Sequence, residues 1–295
     1  MQARDRYRVL TSTDRTSATC GTRDGRTVTL FSSNDYLGLS GDPRIIEATK
    51  AALDFAGMGP RAASLICGYT DYHQNLERSL SALKGTESTL LMPTGYQANI
   101  GLLSALGESD SVIFSDELNH ASIIDGCRLS RAKTRVFKHR DMTHLEALLK
   151  AEHSARKIVV TDEVFSMDGD RSPLVDLVNL KAKYDCILVT DSAHSTGIYG
   201  ENGRGLLDAA GLLDQVDFQV GTLSKALASH GGFISCSEKN RAWLLNSARA
   251  FIFSTALPVP NVVAADTAIK LMHEDGTIRD RLWSRITEFA KLMRR

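Results

Sequence analysis

The sequence predicts an α/β domain built on a mostly parallel sheet flanked by helices. Two observations carry this: short runs rich in β-branched and apolar residues recur from about residue 31 to 250, and the stretches between them have helical period. The predicted strands are residues 88–92, 111–114, 134–138, 157–161, 186–190, 216–221 and 232–236. Between them a helix is predicted over 72–83, where Leu76, Leu80 and Leu83 form one stripe, and another over 145–149 behind the polar Asp141 and Thr143. Helical crossovers of this kind are what parallel strands require. After Pro258 and Pro260 the pattern becomes wholly helical, over 262–272 and 278–293. The expected organisation is an N-terminal arm at 1–33, a large domain at 34–257, and at 258–295 the helical start of a smaller, incomplete domain. The ending inside a helical pattern suggests a shortened chain.

Lys plus Arg and Asp plus Glu both number 35 in 295 residues and neither sign forms a block, so nothing in the charge pattern favours nucleic acid or a membrane surface. Any anionic ligand must be met locally. Cys20, Cys67, Cys127, Cys186 and Cys236 are odd in number and widely spaced, which argues against a disulfide framework and against a metal site. No apolar run approaches the roughly 20 residues of a spanning helix, and the first ten residues carry charges where a signal peptide is apolar. A cytoplasmic protein is expected.

In open parallel sheets, ligands bind beyond the carboxyl ends of the strands. Residues just past each predicted strand are therefore the first candidates. Thr94, Gly95 and Tyr96 form a small-residue turn that opens a helix, whose free N–H groups suit a phosphate. Asp191 stands at the mouth of a buried strand with His194 three residues on; it reads equally as the partner of a protonated heterocycle or as a helix cap. Thr222 and Lys225 follow the 216–221 strand, and a lysine drawn into a partly desolvated cleft becomes a competent amine nucleophile. Ser166 lies in the Ser-Met-Asp-Gly turn after the 157–161 strand, and His120 follows another strand, free to lie flat on a planar ligand. Each signal alone is weak. A pyridine ring with a phosphate, an aldehyde and a ring nitrogen needs an anion cradle, an acid, a stacking group and an amine, and so accounts for all of them together.

At this point the chain resembles the α-oxoamine synthases, a family of fold-type-I enzymes dependent on pyridoxal 5'-phosphate. The resemblance rests on residues 31–40, 94–99, 119–122, 164–170, 191–197, 221–226 and 253–258. It implies an aminotransferase-like homodimer with a shared active site, in which Lys225 holds the cofactor as a Schiff base and Asp191 pairs with its ring nitrogen. It further implies that His120 stacks on the ring, and that His194 and Ser166 bind the phenolic oxygen. Gly95, Tyr96 and Thr222 would hold the phosphate, with Thr255 reaching the phosphate of the neighbouring subunit. Asn34 and one of the N-terminal arginines, Arg4, Arg6, Arg8 or Arg15, would face the substrates.

The activity implied is condensation of an amino acid with an acyl-CoA, accompanied by loss of carbon dioxide. The phrasing at 57–61, 67–69 and 119–127 is most similar to the biotin-pathway members, which use L-alanine and pimeloyl-CoA. Glycine C-acetyltransferase, 5-aminolevulinate synthase, serine palmitoyltransferase and a non-catalytic truncated homologue are the alternatives. Two departures stand out. Ser195 replaces the glycine usual after the site histidine, and family members continue for roughly another hundred residues into a small domain that carries an arginine for the substrate carboxylate. Cofactor binding with weakened turnover is the resulting expectation.

Overall fold

A computed structural model describes residues 7–17 and 19–293. Strands β1 (Asp14–Arg15), β2 (Cys20–Arg23) and β3 (Arg26–Thr29) form a small antiparallel sheet. The arm expected here thus contains a meander. Asp24 and Gly25, with φ of 51° and 73°, make the two-residue turn whose twist matches that of paired strands. Arg4 and Arg6 lie outside the described residues.

Helices α1 (Pro43–Ala56) and α2 (Asp71–Lys84) precede β4 (Ser88–Met92). Then α3 (Gly95–Leu106), β5 (Ser111–Asp116), α4 (Ala121–Leu129), β6 (Lys133–Phe137), α5 (Met142–Lys150), β7 (Arg156–Asp162), α6 (Leu174–Tyr184) and β8 (Cys186–Asp191) alternate. The chain continues through α7 (Leu206–Ala209), β9 (Phe218–Thr222), β10 (Gly232–Cys236), α8 (Glu238–Ser247), α9 (Arg249–Ile252), α10 (Val259–Glu274) and α11 (Thr277–Met293). Strands β4 to β10 form a seven-stranded sheet in the order β4-β10-β9-β8-β7-β5-β6, parallel except that β10 runs against both neighbours. The predicted α/β class and mostly parallel sheet are those observed.

The inner strands are buried on both faces, which is why they read as apolar runs rather than alternating, whereas the edge strand β6 is polar and exposed up to Phe137. Alternate residues enter different cores. Leu90, Met92, Ile113, Ile158, Val160, Val189 and Ile234 pack with α3, α4, α8 and α9. Their neighbours Val112, Phe114, Val159 and Leu188 pack with α5 and α6, and Leu91 and Phe233 pack with α1, α2 and α10. Helix α10 lies in that last core, burying Val262, Ala265, Ala268 and Met272. No helix among the described residues is long and apolar enough to cross a membrane.

Four strands run past their predicted carboxyl ends, β5 to Asp116, β7 to Asp162, β8 to Asp191 and β9 to Thr222, and Asp162 and Asp191 are in register. Strand β10 touches the next turn directly. A Cβ on Gly232 would stand 2.4 Å from the backbone of Thr94 and 2.5 Å from Gly95 N. Gly232→Ala is therefore expected to destabilise the fold by about 1–3 kcal/mol, because backbone cannot rotate away as a side chain would. Chemical denaturation measures this, and a midpoint equal to that of the parent would show that the turn yields freely.

Candidate active site

The carboxyl ends of β7, β8 and β9 and the start of α3 converge on one cleft. Helix α3 begins there because Thr94 caps it, its hydroxyl accepting from Gln97 N at 3.0 Å. The N–H groups of Gly95 and Tyr96, in the first turn, have no partner within the helix and carry the positive end of its dipole. Gly95 lies against Thr222: an added Cβ would meet Thr222 Cβ at 3.1 Å. The Thr222 hydroxyl accepts from Ser224 N and donates to Gly231 O at 3.0 Å, which holds the turn leading to Lys225.

The Lys225 amine lies 2.8 Å from Nε2 of His194. On the other side of that ring, Nδ1 lies 2.7 Å from the hydroxyl of Tyr36, which donates to Asn34 Oδ1 at 3.1 Å. Burial pushes the Lys225 ammonium down, opposed by the negative charges of Asp191 and Asp162. Burial, and then the nearby Lys225 charge, push His194 down to about 4. The ring is neutral near neutral pH.

Asp191 is buried and held from two directions: Ala193 N donates to Oδ1 at 2.8 Å and Asn99 Nδ2 to Oδ2 at 2.6 Å. Asn99 also donates to Ser122 Oγ, which lies 2.7 Å from Nδ1 of His120. One polar chain thus joins His120, Ser122, Asn99 and Asp191. Beside Asp191, the carboxyl of Asp162 is pushed well above the usual carboxylate range by burial and by its neighbour's charge, and it accepts from His120 N at 2.7 Å.

The predicted residues Lys225, His194, Asp191, Thr222, Gly95 and His120 are therefore brought to one cleft. Ser166 is exposed on the loop after β7, and no hydrogen bond among the described residues joins it to the others. Tyr96 is half-exposed, its hydroxyl turned to Asp125. Thr255 is exposed and its backbone pairs with Ala63. Asn34 is exposed and reaches the cleft through Tyr36, while Arg15 is bound to Ser40 and lies 4.0 Å from Asp35. Four residues were missed by the sequence reading: Asn99, Ser122, Asp162 and Tyr36. The signal for Asn99 was present, an amide inside the mostly apolar run 98–106 of α3, and so was that for Asp162, a carboxylate closing an apolar run.

A family model for aminotransferase class I and II matches residues 26–295. The chain belongs to that family. Similar proteins include the 8-amino-7-oxononanoate synthase of Arabidopsis thaliana, 46% identical over 281 residues that cover 89% of this chain and 59% of that one. The putative 8-amino-7-oxononanoate synthase of Syntrophotalea carbinolica is 51% identical over 248 residues, covering 83% of this chain and 63% of its own length. The chain spans less than two thirds of the length of these two curated relatives. Among solved structures, a serine palmitoyltransferase from S. paucimobilis with a bound PLP–myriocin aldimine superposes with a TM-score of 0.89 at 33% identity, covering 92% of this chain and 68% of that one. The 8-amino-7-oxononanoate synthase of Francisella tularensis gives 0.77 at 30% identity, covering 89% and 74%. The aminotransferase-like type I fold and the α-oxoamine synthase resemblance expected from the sequence both hold.

The low value at His194 has a consequence for acid stability. The free imidazole titrates at 6.5 and the folded one at about 4, so the fold favours the neutral ring. Its contribution is complete above pH 6.5 and is lost as the pH falls through that window to about 4. For a half-buried ring the loss is on the order of 1–2 kcal/mol after solvent screening. Urea midpoints across this range should fall less steeply for His194→Gln than for the parent; identical slopes would place the acid-sensitive group elsewhere, with buried His73, also pushed down by burial, the next candidate.

Proposed function

We propose that this chain carries the cofactor site of a pyridoxal 5'-phosphate-dependent acyltransferase that condenses L-alanine with pimeloyl-CoA, giving 8-amino-7-oxononanoate, coenzyme A and carbon dioxide. The observation that carries the reading is the Lys225 amine, partly desolvated and set 2.8 Å from a neutral His194 beside buried Asp191. The substrate choice follows the names of the curated relatives at 46% and 51% identity; the solved serine palmitoyltransferase and 8-amino-7-oxononanoate synthase, at 33% and 30%, do not divide the two. The carbon skeleton in those names is what remains when alanine and a pimeloyl thioester join with loss of carbon dioxide.

The residues present fit the cofactor. They supply an amine for its aldehyde, a buried carboxylate for its ring nitrogen and a helix N-terminus for its phosphate, and buried Asn99 Oδ1 has no hydrogen-bond partner among the described residues. When bound, the cofactor supplies an electron sink for the carbanion left by loss of the α-proton. Lys225 would anchor it covalently, and the free Lys225 amine would be the base for the α-proton. Asp191, held by Asn99 and Ala193, keeps a proton on the ring nitrogen. Gly95, Tyr96 and Thr222 would hold the phosphate, with Thr255 serving the site of a partner copy in a homodimer. His120 would cover the ring, His194 would face the phenolic oxygen, joined by Ser166 from its exposed loop, and Asn34 would face the substrate. The domain division proposed is an N-terminal arm at 1–33, a large cofactor-binding domain at 34–257 and the helical start of a small domain at 258–295, with α10 packed into the α1–α2–α10 core. The compartment proposed is the cytoplasm.

Purified protein supplied with pyridoxal phosphate is expected to develop a visible absorption band, which Lys225→Ala abolishes while the circular dichroism of the fold persists. A variant retaining the parent's band would sink Lys225 as the anchor. Asp191→Asn should keep the band but slow removal of the alanine α-proton, followed as exchange with deuterated water, by several kcal/mol of activation free energy. Equal exchange rates would reduce Asp191 to a cap of the turn it begins.

A further inference from the structure

Tyr36 lies outside every role given above, yet it is tied to the amine through one intermediary. It stands on the segment between β3 and α1, half-buried against the α1–α2–α10 core. Its hydroxyl makes two contacts, to Nδ1 of His194 at 2.7 Å and to Asn34 Oδ1 at 3.1 Å. The second contact consumes the hydroxyl proton, because an amide oxygen only accepts. The phenol oxygen is then left to accept from Nδ1–H, and Nε2, stripped of a proton, becomes the acceptor that faces Lys225 at 2.8 Å. An ammonium has N–H groups and no lone pair, so this is the one direction in which all three contacts are satisfied while Lys225 is charged.

We propose that Tyr36 is a positioning residue that acts through His194, setting the imidazole proton on Nδ1 so that Nε2 supplies the acceptor for the Lys225 ammonium. The groups facing this chain are few. Asp191 and Asp162 act on Lys225, while Asp191 and His120 act on His194 along with Lys225 itself. None of these donates to Nδ1 or accepts from it; the contact at that nitrogen is Tyr36. Aromatic packing does not replace the hydroxyl, because the Tyr36 and His194 rings are tilted by 53° with centroids 6.1 Å apart.

The inference rests on Lys225 being the cofactor anchor, and its test separates the two. Capture of pyridoxal phosphate joins the amine nitrogen to the aldehyde carbon and releases water, and only the uncharged amine reacts. The rate at which the visible band grows, followed against pH, therefore reads the titration of Lys225 without any turnover. Tyr36→Phe removes the acceptor for Nδ1–H and lets the ring proton move to Nε2. The ammonium then loses its partner, and the profile is expected to shift to lower pH by about half to one unit.

His194→Asn should shift the profile in the same direction. The double variant should shift it no further than His194→Asn alone, since Tyr36 acts only through that ring. Additive shifts, or a Tyr36→Phe profile superposing on the parent's, would overturn the inference. Absence of capture by the parent, or equal capture by Lys225→Ala, would instead overturn the anchor. A measurement on unsubstituted protein guards against a Tyr36→Phe chain that fails to fold. The ¹⁵N resonances of His194, assigned by their loss in His194→Asn, should show the proton on Nδ1 while Lys225 is charged, and a proton on Nε2 would contradict the proposal.

Discussion

The site depends on the register of β7 with β8, which sets Asp162 directly beside Asp191 at the mouth of the sheet. Two carboxyl groups buried side by side cannot both hold their charge cheaply, because the medium screens them weakly. The conflict is resolved in two ways. Asp162 is pushed towards its protonated form, and the amine of Lys225, delivered by the turn after β9, stands close enough to feel both acids. Asn99 and Ala193 then orient the remaining charge. A one-residue slip of either strand would turn these acids into the opposite face and leave the amine without its counter-charges.

Beneath the same turn lies a second set of buried charges. Glu163, wholly buried, accepts from Ser195 Oγ, from Thr190 Oγ1 at 3.1 Å and from Leu206 N at 3.3 Å. Its backbone N–H donates to Asp191 O at 2.8 Å. Lys84, also wholly buried and pushed down by that burial, donates to Arg204 O at 2.8 Å. Gly205, at φ 117°, leaves the space between them, since a Cβ there would stand 3.0 Å from the lysine amine and 3.2 Å from Ser195 Oγ. Ser195, where the family usually has glycine, is thus a hydrogen-bonding member of this layer. Satisfied buried charges of this kind hold a geometry more than they add stability.

The sheet was legible because its inner strands are buried on both faces and read as short apolar runs between helical stretches. The strand ends were less so, since Asp162 and Asp191 look like loop residues until their pairing is known. The Asp24–Gly25 hairpin carried a turn signal in plain view but was masked by the polar residues around it. The chemistry-bearing residue types past each strand pointed to Lys225, His194, Asp191 and His120. The contacts that join them through Asn99, Ser122 and Tyr36 depend on side chains from α3, α4 and the 34–36 segment meeting in space, which no local spacing records. The name of the family entered through stretches matched along the chain, and the cleft assembled from them is consistent with it.

The most direct measurement of the central claim, that Lys225 is the amine this fold prepares for an aldehyde, is reductive trapping. Protein incubated with pyridoxal phosphate, reduced with borohydride, digested and examined by mass spectrometry should carry one phosphopyridoxyl group, on the peptide containing Lys225. A label on another lysine instead, or one spread evenly over the exposed lysines, would contradict the account.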